Sequence, residues 1–268
     1  MPTVRTNDAE IYYEVHGQGQ PFLFCSETAA SGEIWKIFQV PEFTKDHRVI
    51  TFDYRGTGRS SRPSMDYTTR MFCDDAVALL DALKADQAIV LGHSMGGRVA
   101  QLIALEYPTR VKKLILASSG ASFPGQPGLP LLMCREMIEW GYEKYVRQHT
   151  IEVGFTDEMQ KKYPERIAEF FRGRLENLGS VEFYLRHVLA RQGHNTSARL
   201  KDIEVPTLVL VGEEEGDPKA TMSHRNSADI LARGIPHARF VMLPKQKHNY
   251  FFVEPEPAHR AIREFLSS

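Results

Sequence analysis

A chain of 268 residues with 42% hydrophobic and 25% charged side chains can bury one large α/β core with an insertion, and wholesale disorder is excluded. The formal net charge of −1, with both signs interspersed, offers no electrostatic footprint for nucleic acid or an anionic membrane. No apolar run approaches the roughly 18 residues needed to cross a bilayer, so neither a membrane nor nucleic acid is expected as a partner.

The N-terminal residues 1–8 carry no secretory h-region, which makes the cytoplasm the expected compartment. Cys25, Cys73 and Cys134 are odd in number and far apart, the pattern of reduced thiols rather than of a disulfide framework. Residues 9–15 alternate as an early strand, and 16–21 form its turn. Phe22 to Cys25 reads as a buried strand, 34–38 as the opening of a short helix, and 48–52 as another strand. Residues 68–83 are helical by the spacing of Met71, Ala76, Leu79, Leu80 and Leu83. Ala88 to Leu91 is a buried strand, the helix after it ends near Tyr107-Pro108, and 113–117 is the next strand.

That rhythm breaks at 120–130, where three glycines and three prolines make a loop. No buried-strand run follows until about residue 200; instead 131–148, 158–178 and 181–191 look helical. The alternation resumes with a strand at 206–212, a helix at 228–233, a strand at 239–243 and a closing helix at 257–266. Strands alternating with helices imply parallel pairing with right-handed crossovers. The expected organisation is a core of residues 1–120 and 201–268 with a helical cap, 121–200, inserted into it.

Gly92-His93-Ser94-Met95-Gly96 sits between a strand and a helix, and its glycines permit a strained turn that lifts a serine hydroxyl above the sheet. A serine hydroxyl needs a base, and the base needs an acceptor that fixes its tautomer. His248, in the loop after the last strand, is the candidate base. His93 abuts Ser94, but neighbours in a tight turn point apart, so it reads as packing or as a supporting hydrogen bond. Glu213, Glu214, Glu215 and Asp217 all follow the 206–212 strand; Asp217, the one short carboxylate and next to Pro218, is the expected acid, with Glu215 the alternative. No phosphate loop, dinucleotide fingerprint or metal-ligand spacing is present, so no cofactor or metal is expected.

Together, Asp53-Tyr54-Arg55-Gly56-Thr57-Gly58-Arg59-Ser60, the Gly92–Gly97 turn, the order Ser94, Asp217, His248, and the tail from His248 to Glu256 resemble the α/β-hydrolase fold superfamily over nearly the whole chain. That resemblance implies a helix-flanked, mostly parallel sheet and acyl transfer from Ser94, with His248 as base and Asp217 orienting it. It also implies an oxyanion hole of the Met95 N–H and an N–H from the loop after Cys25, Thr28 or, one residue earlier, Glu27. Similar proteins carry a His-Gly pair in that loop, whereas Ser26-Glu27 stand here. A Glu27 side chain facing the pocket would bind cationic or hydrogen-bonding groups and repel anions. Trp140 and Phe183 are the expected substrate contacts from the cap. The implied reaction is hydrolysis of an ester, lactone or activated C–C bond of a small, partly apolar molecule. A lyase, perhydrolase or cofactor-free oxygenase on the same scaffold, or a slow-turnover ligand receptor, stays open.

Overall fold

A computed structural model describes residues 1–123, 128–216 and 223–268. Eight strands form one sheet: β1 (Thr3–Arg5), β2 (Glu10–His16), β3 (Gln20–Cys25), β4 (His47–Phe52), β5 (Ala88–His93), β6 (Val111–Ala117), β7 (Thr207–Gly212) and β8 (Arg239–Leu243). They lie in the order β1-β2-β4-β3-β5-β6-β7-β8. β1 and β2 pair antiparallel at one edge, and the strands from β4 to β8 run parallel.

Two-residue periodicity splits the strand side chains between two apolar layers. Leu23, Val90, Leu116 and Val209 face the layer that covers α2 (Thr69–Ala82) and α3 (Met95–Glu106), preceded in the chain by α1 (Gln39–Phe43). Phe22, Phe24, Leu91, Ile115 and Leu208 face the opposite layer with Trp35 and the C-terminal aromatics. Both faces of the central strands are covered, which is why they read as continuous apolar runs. β1 escaped the sequence reading because three residues, the outer two exposed and Val4 half-buried, make no hydrophobic signal.

Among the described residues, five α-helices lie between β6 and β7: α4 (Leu129–Trp140), α5 (Tyr142–Gly154), α6 (Asp157–Lys162), α7 (Pro164–Glu176) and α8 (Val181–Gln192). The single helix expected at 131–148 is broken at Gly141, whose φ of 85° ends α4 before α5 begins. The helix expected at 158–178 breaks at Tyr163, because Pro164 has no N–H to give the preceding turn and starts α7. After β7 and β8 come α9 (His224–Gly234), α10 (Tyr250–Val253) and α11 (Glu256–Ser267); α11 packs on the sheet through Ala258, Ala261, Ile262 and Phe265. No helix among the described residues is long and apolar enough to cross a membrane.

The Asp53–Ser60 segment is an anchor for the loop after β3. The Asp53 carboxylate accepts from the Gly32 N–H at 2.7 Å and the Arg59 N–H at 2.8 Å. Arg55 beside it makes a two-bond fork to Asp75 of α2, both at 2.7 Å, with the side chains only 3% and 1% exposed. Removing one partner of such a pair strands the other charge in the core. Asp75→Ala is therefore expected to lower unfolding free energy by about 3–5 kcal/mol in denaturant titration; a loss typical of a surface ion pair would contradict the anchoring role.

Candidate active site

Ser94 joins β5 to α3 with φ 56° and ψ −114°, a conformation unusual for a residue with a Cβ. The flanking glycines make the turn possible. A Cβ on Gly96 would overlap the Cys25 carbonyl, and one on Gly92 would overlap the Gly96 carbonyl. The start of α3 therefore presses directly against the end of β3, and the loop after Cys25 lies beside the serine. The Ser94 N–H donates to the Ala117 carbonyl at 2.9 Å, and its own carbonyl accepts from the Ser119 hydroxyl at 2.7 Å.

His248 comes from the loop between β8 and α10. Its Nδ1 lies 2.8 Å from Glu215 Oε2. The other oxygen, Glu215 Oε1, accepts from the Gly212 N–H at 2.7 Å and the Ser118 hydroxyl at 2.6 Å. Glu215 thus occupies the position for which Asp217 was the first choice; Asp217 itself lies outside the described residues. The physical reason is a tight turn at the end of β7, closed by the Glu215 N–H on the Gly212 carbonyl at 3.2 Å. That turn brings the longer side chain back over the strand end, where Gly212 and Ser118 donate to it.

Burial lowers the His248 pKa to about 3, with the neighbouring His93 adding to the shift, so the ring is neutral at ordinary pH. A carboxylate on Nδ1 holds the proton there and leaves Nε2 with its lone pair. His93 is fully buried and its Nε2 meets the His248 carbonyl at 3.0 Å, the supporting role its position suggested. His224, at the start of α9, was not singled out from the sequence. Its ring sits 4.3 Å from that of His248 and its Nδ1 lies 3.8 Å from Glu215 Oε2.

Glu27 is 5% exposed and lines the cavity, yet it is not a free acid. Its Oε1 is paired with Arg174 of α7, and its Oε2 lies 3.7 Å from His93 Nδ1. Burial pushes its carboxyl upward, but Arg174 and the histidines outweigh that and hold it below the usual range. The expected repulsion of anions by Glu27 is therefore offset within the site. In the same loop, the Ala29 N–H reaches His187 Nδ1 at 3.3 Å and the Ala30 N–H the Glu27 carbonyl at 3.2 Å. The Glu27 and Thr28 N–H groups have no acceptor among the described residues, and neither does the Met95 N–H that begins α3.

Ser94, His248, Glu27 and Thr28 line one cavity of about 270 Å³, walled by Phe123, Tyr184 and residues of α4 and α5. That volume suits a small metabolite. Trp140 and Phe183 do not line it, which corrects their expected role. Trp140 lies beside Tyr145, 6.4 Å between rings, and Phe183 stacks on Tyr67 at 6.3 Å. Two groupings, Glu27-His93-His248 and Glu215-His224-His248, bring potential ligand atoms within 4.8 Å of one another. Their carboxylates are already engaged, Glu27 by Arg174 and Glu215 by three donors, so the donor sets suit proton handling better than a cation.

Comparison with known proteins adds a family context. A family model described as "alpha/beta hydrolase fold" matches residues 20–255. A protein of Azorhizobium caulinodans named "Putative carbamate hydrolase RutD" is 28% identical over 276 residues, spanning 99% of this chain and 98% of its own. The enol-lactonase from Burkholderia xenovorans LB400 superposes with a TM-score of 0.88 at 22% identity, covering 100% of both chains. A thermophilic esterase from Thermogutta terrifontis gives 0.84 at 27% identity, covering 99% of this chain and 96% of its own.

The buried histidines have a measurable consequence. Burial holds His248, His224 and His194 near pKa 3 and His187 near 4, all below the ordinary 6.5. Unfolded imidazoles take up protons that the folded ones refuse, so this contribution to stability is complete above about pH 6.5 and is lost as pH falls toward 3. Side-chain ¹⁵N spectra at pH 5 should show the His248 and His224 rings neutral, while the denaturant midpoint declines between pH 6.5 and 4. Protonated rings in the folded protein at pH 5 would contradict this.

Proposed function

Because the chain belongs to the alpha/beta hydrolase fold family, we propose that it is a serine hydrolase using Ser94, His248 and Glu215 on a small ester, lactone or carbamate-like carbonyl. The observation that carries this reading is the 2.8 Å contact of His248 Nδ1 with Glu215, in one cavity with a serine held at positive φ. The names of the relatives, a carbamate hydrolase, an enol-lactonase and an esterase, share one chemistry: attack on a carbonyl bearing a heteroatom leaving group.

In this mechanism Ser94 Oγ attacks the carbonyl carbon as its proton passes to His248 Nε2. The imidazolium so formed is stabilised by Glu215 through Nδ1–H. The carbonyl oxygen becomes an oxyanion and takes hydrogen bonds from the Met95 N–H and from Thr28 or Glu27, the N–H groups left without acceptors. As the tetrahedral adduct collapses, His248 returns the proton to the leaving oxygen or nitrogen and an acyl-Ser94 ester remains. Water, deprotonated by His248, then attacks that ester and regenerates Ser94. The helices from α4 to α8 act as the lid that keeps bulk water out and shapes the acyl pocket.

The test is a set of single substitutions assayed on p-nitrophenyl esters. Ser94→Ala and His248→Ala should each lower kcat by about 10⁴-fold or more, and Ser94→Ala should abolish labelling by a fluorophosphonate. Glu215→Gln should cost about 10³- to 10⁴-fold, while Asp217→Asn should leave turnover at the wild-type level. Undiminished turnover by Ser94→Ala would overturn the reading, and a large loss in Asp217→Asn alone would return the acid to position 217.

A further inference from the structure

Three arginines line the cavity beside Ser94, and their partners differ. Arg174 is paired with Glu27, as described. Arg98 projects from α3 one turn after Ser94 and is buried. Among the described residues its guanidinium donates to backbone carbonyls alone, Gly120 at 2.8 Å and Ser122 at 3.4 Å. Arg191, from α8 across the cavity, donates to the Thr28 hydroxyl at 3.3 Å. Both Arg98 and Arg191 lie over the ring of Phe123, 5.9 and 4.9 Å from its centroid. The Nε atoms of both are sealed from solvent with no hydrogen-bond partner, and neither side chain meets a carboxylate among the described residues.

That is unlike the other enclosed arginines of the molecule. Arg55 has Asp75, and Arg174 has Glu27. A desolvated guanidinium without an anion is expensive, and the cost is tolerated where a ligand completes the pairing. Burial pulls Arg98 down to about 9 and lowers Arg191 as well, the mark of charges that a neighbouring anion would relieve.

We propose that Arg98 and Arg191 form a carboxylate-binding subsite within the cavity, so that the substrate hydrolysed at Ser94 carries a second, ionised carboxylate. This rests on the serine-hydrolase reading for the reacting end only; the subsite itself is defined by the two guanidiniums. The planar fork of an arginine matches a carboxylate in two parallel hydrogen bonds, and the terminal nitrogens of Arg98 and Arg191, held over Phe123, keep N–H donors beyond those given to Gly120, Ser122 and Thr28. Glu27 does not compete for them, because Arg174 already neutralises it. A cavity of about 270 Å³ leaves room for a short acyl chain between the carboxylate and the reacting carbonyl. The substrate class is thus a half-ester or carboxylate-bearing lactone or carbamate, and the product a short dicarboxylic acid or a carboxylate-bearing hydroxy or amino compound.

The experiment compares the p-nitrophenyl monoester of glutaric acid with its uncharged isostere, the p-nitrophenyl ester of glutaramic acid, at pH 7.5. Wild type should prefer the anionic ester in kcat/KM by about 10- to 100-fold, the range expected of charge-assisted hydrogen bonds. Arg191→Gln and Arg98→Gln should collapse that ratio toward one, and Arg191→Lys should restore part of it. A second readout needs no turnover: glutarate should raise the melting temperature of Ser94→Ala but not of the Ser94→Ala/Arg191→Gln double variant. Equal or faster hydrolysis of the neutral ester by wild type, or no glutarate shift in Ser94→Ala, overturns the subsite while leaving the hydrolase reading intact. Undiminished turnover of both esters by Ser94→Ala sinks the hydrolase reading and leaves the glutarate shift to decide the subsite. An anion preference that emerges only in Asp217→Asn would assign the two arginines an internal counter-ion and overturn the proposal.

Discussion

A serine with a Cβ held at φ 56° is a strained residue, worth about 1–3 kcal/mol, and much of the surrounding packing exists to keep it there. Gly92 and Gly96 let β5, α3 and the end of β3 approach more closely than any side chain allows. The sheet supplies the restoring force. β5 is bonded on both sides, by β3 and β6, and its residues are all buried. The same close approach that strains Ser94 sets the loop after Cys25 beside it, so the serine and the free N–H groups of Glu27, Thr28 and Met95 are placed by one constraint. Asp53, bonded to Gly32, pins the far end of that loop.

Electrostatics complete what the packing begins. Three imidazoles, the buried His93 and His248 and the half-buried His224, stand close to two carboxylates, and each carboxylate is compensated in a different way. Glu215 is satisfied by dipoles and the His248 N–H, and Glu27 by a guanidinium. The first arrangement leaves a carboxylate able to respond when His248 gains a proton; the second removes a negative charge from the neighbourhood of Ser94. This arrangement keeps His248 neutral at rest and places a carboxylate to stabilise its protonated form.

The fold was largely legible because central strands and sheet-facing helices obey short periods. Phe22 to Cys25 and Ala88 to Leu91 announce themselves by apolar continuity, and α11 by the four-residue stripe from Ala258 to Phe265. The positions of Ser94 and His248 at the ends of such strands were legible from their neighbours. That Glu215 meets His248 was not, since it depends on a turn closed on the Gly212 carbonyl, which local sequence does not encode. Trp140 and Phe183 were chosen for their size, but which face of α4 or α8 meets the cavity depends on how the helices rotate in the packed state. Arg174 and Arg191 escaped notice for the same reason: on an amphipathic helix, an arginine that enters a cavity looks like one that meets solvent.

Those two arginines show how labour is divided in the molecule. The groups suited to bond making stand at the ends of strands: Ser94 after β5, Glu215 after β7 and His248 after β8. Two of the guanidiniums that set the charge of the cavity come from the helices between β6 and β7, Arg174 on α7 and Arg191 on α8. Strand ends are fixed by a ladder of hydrogen bonds, so the reacting geometry is insulated from change in the inserted helices. α8 meets the core through a few bonds, such as that of His187 Nε2 with the Arg55 carbonyl at 2.8 Å. Arg55 is itself locked to Asp75 of α2, and His187 also accepts from the Ala29 N–H, so the helix that carries Arg191 is registered both to the loop after β4 and to the loop after β3. A substitution on the cavity face of α7 or α8 that spares the bonds to Glu27, Thr28 and Ala29 can thus alter the charge of the cavity without removing a bond to the strand that carries Ser94.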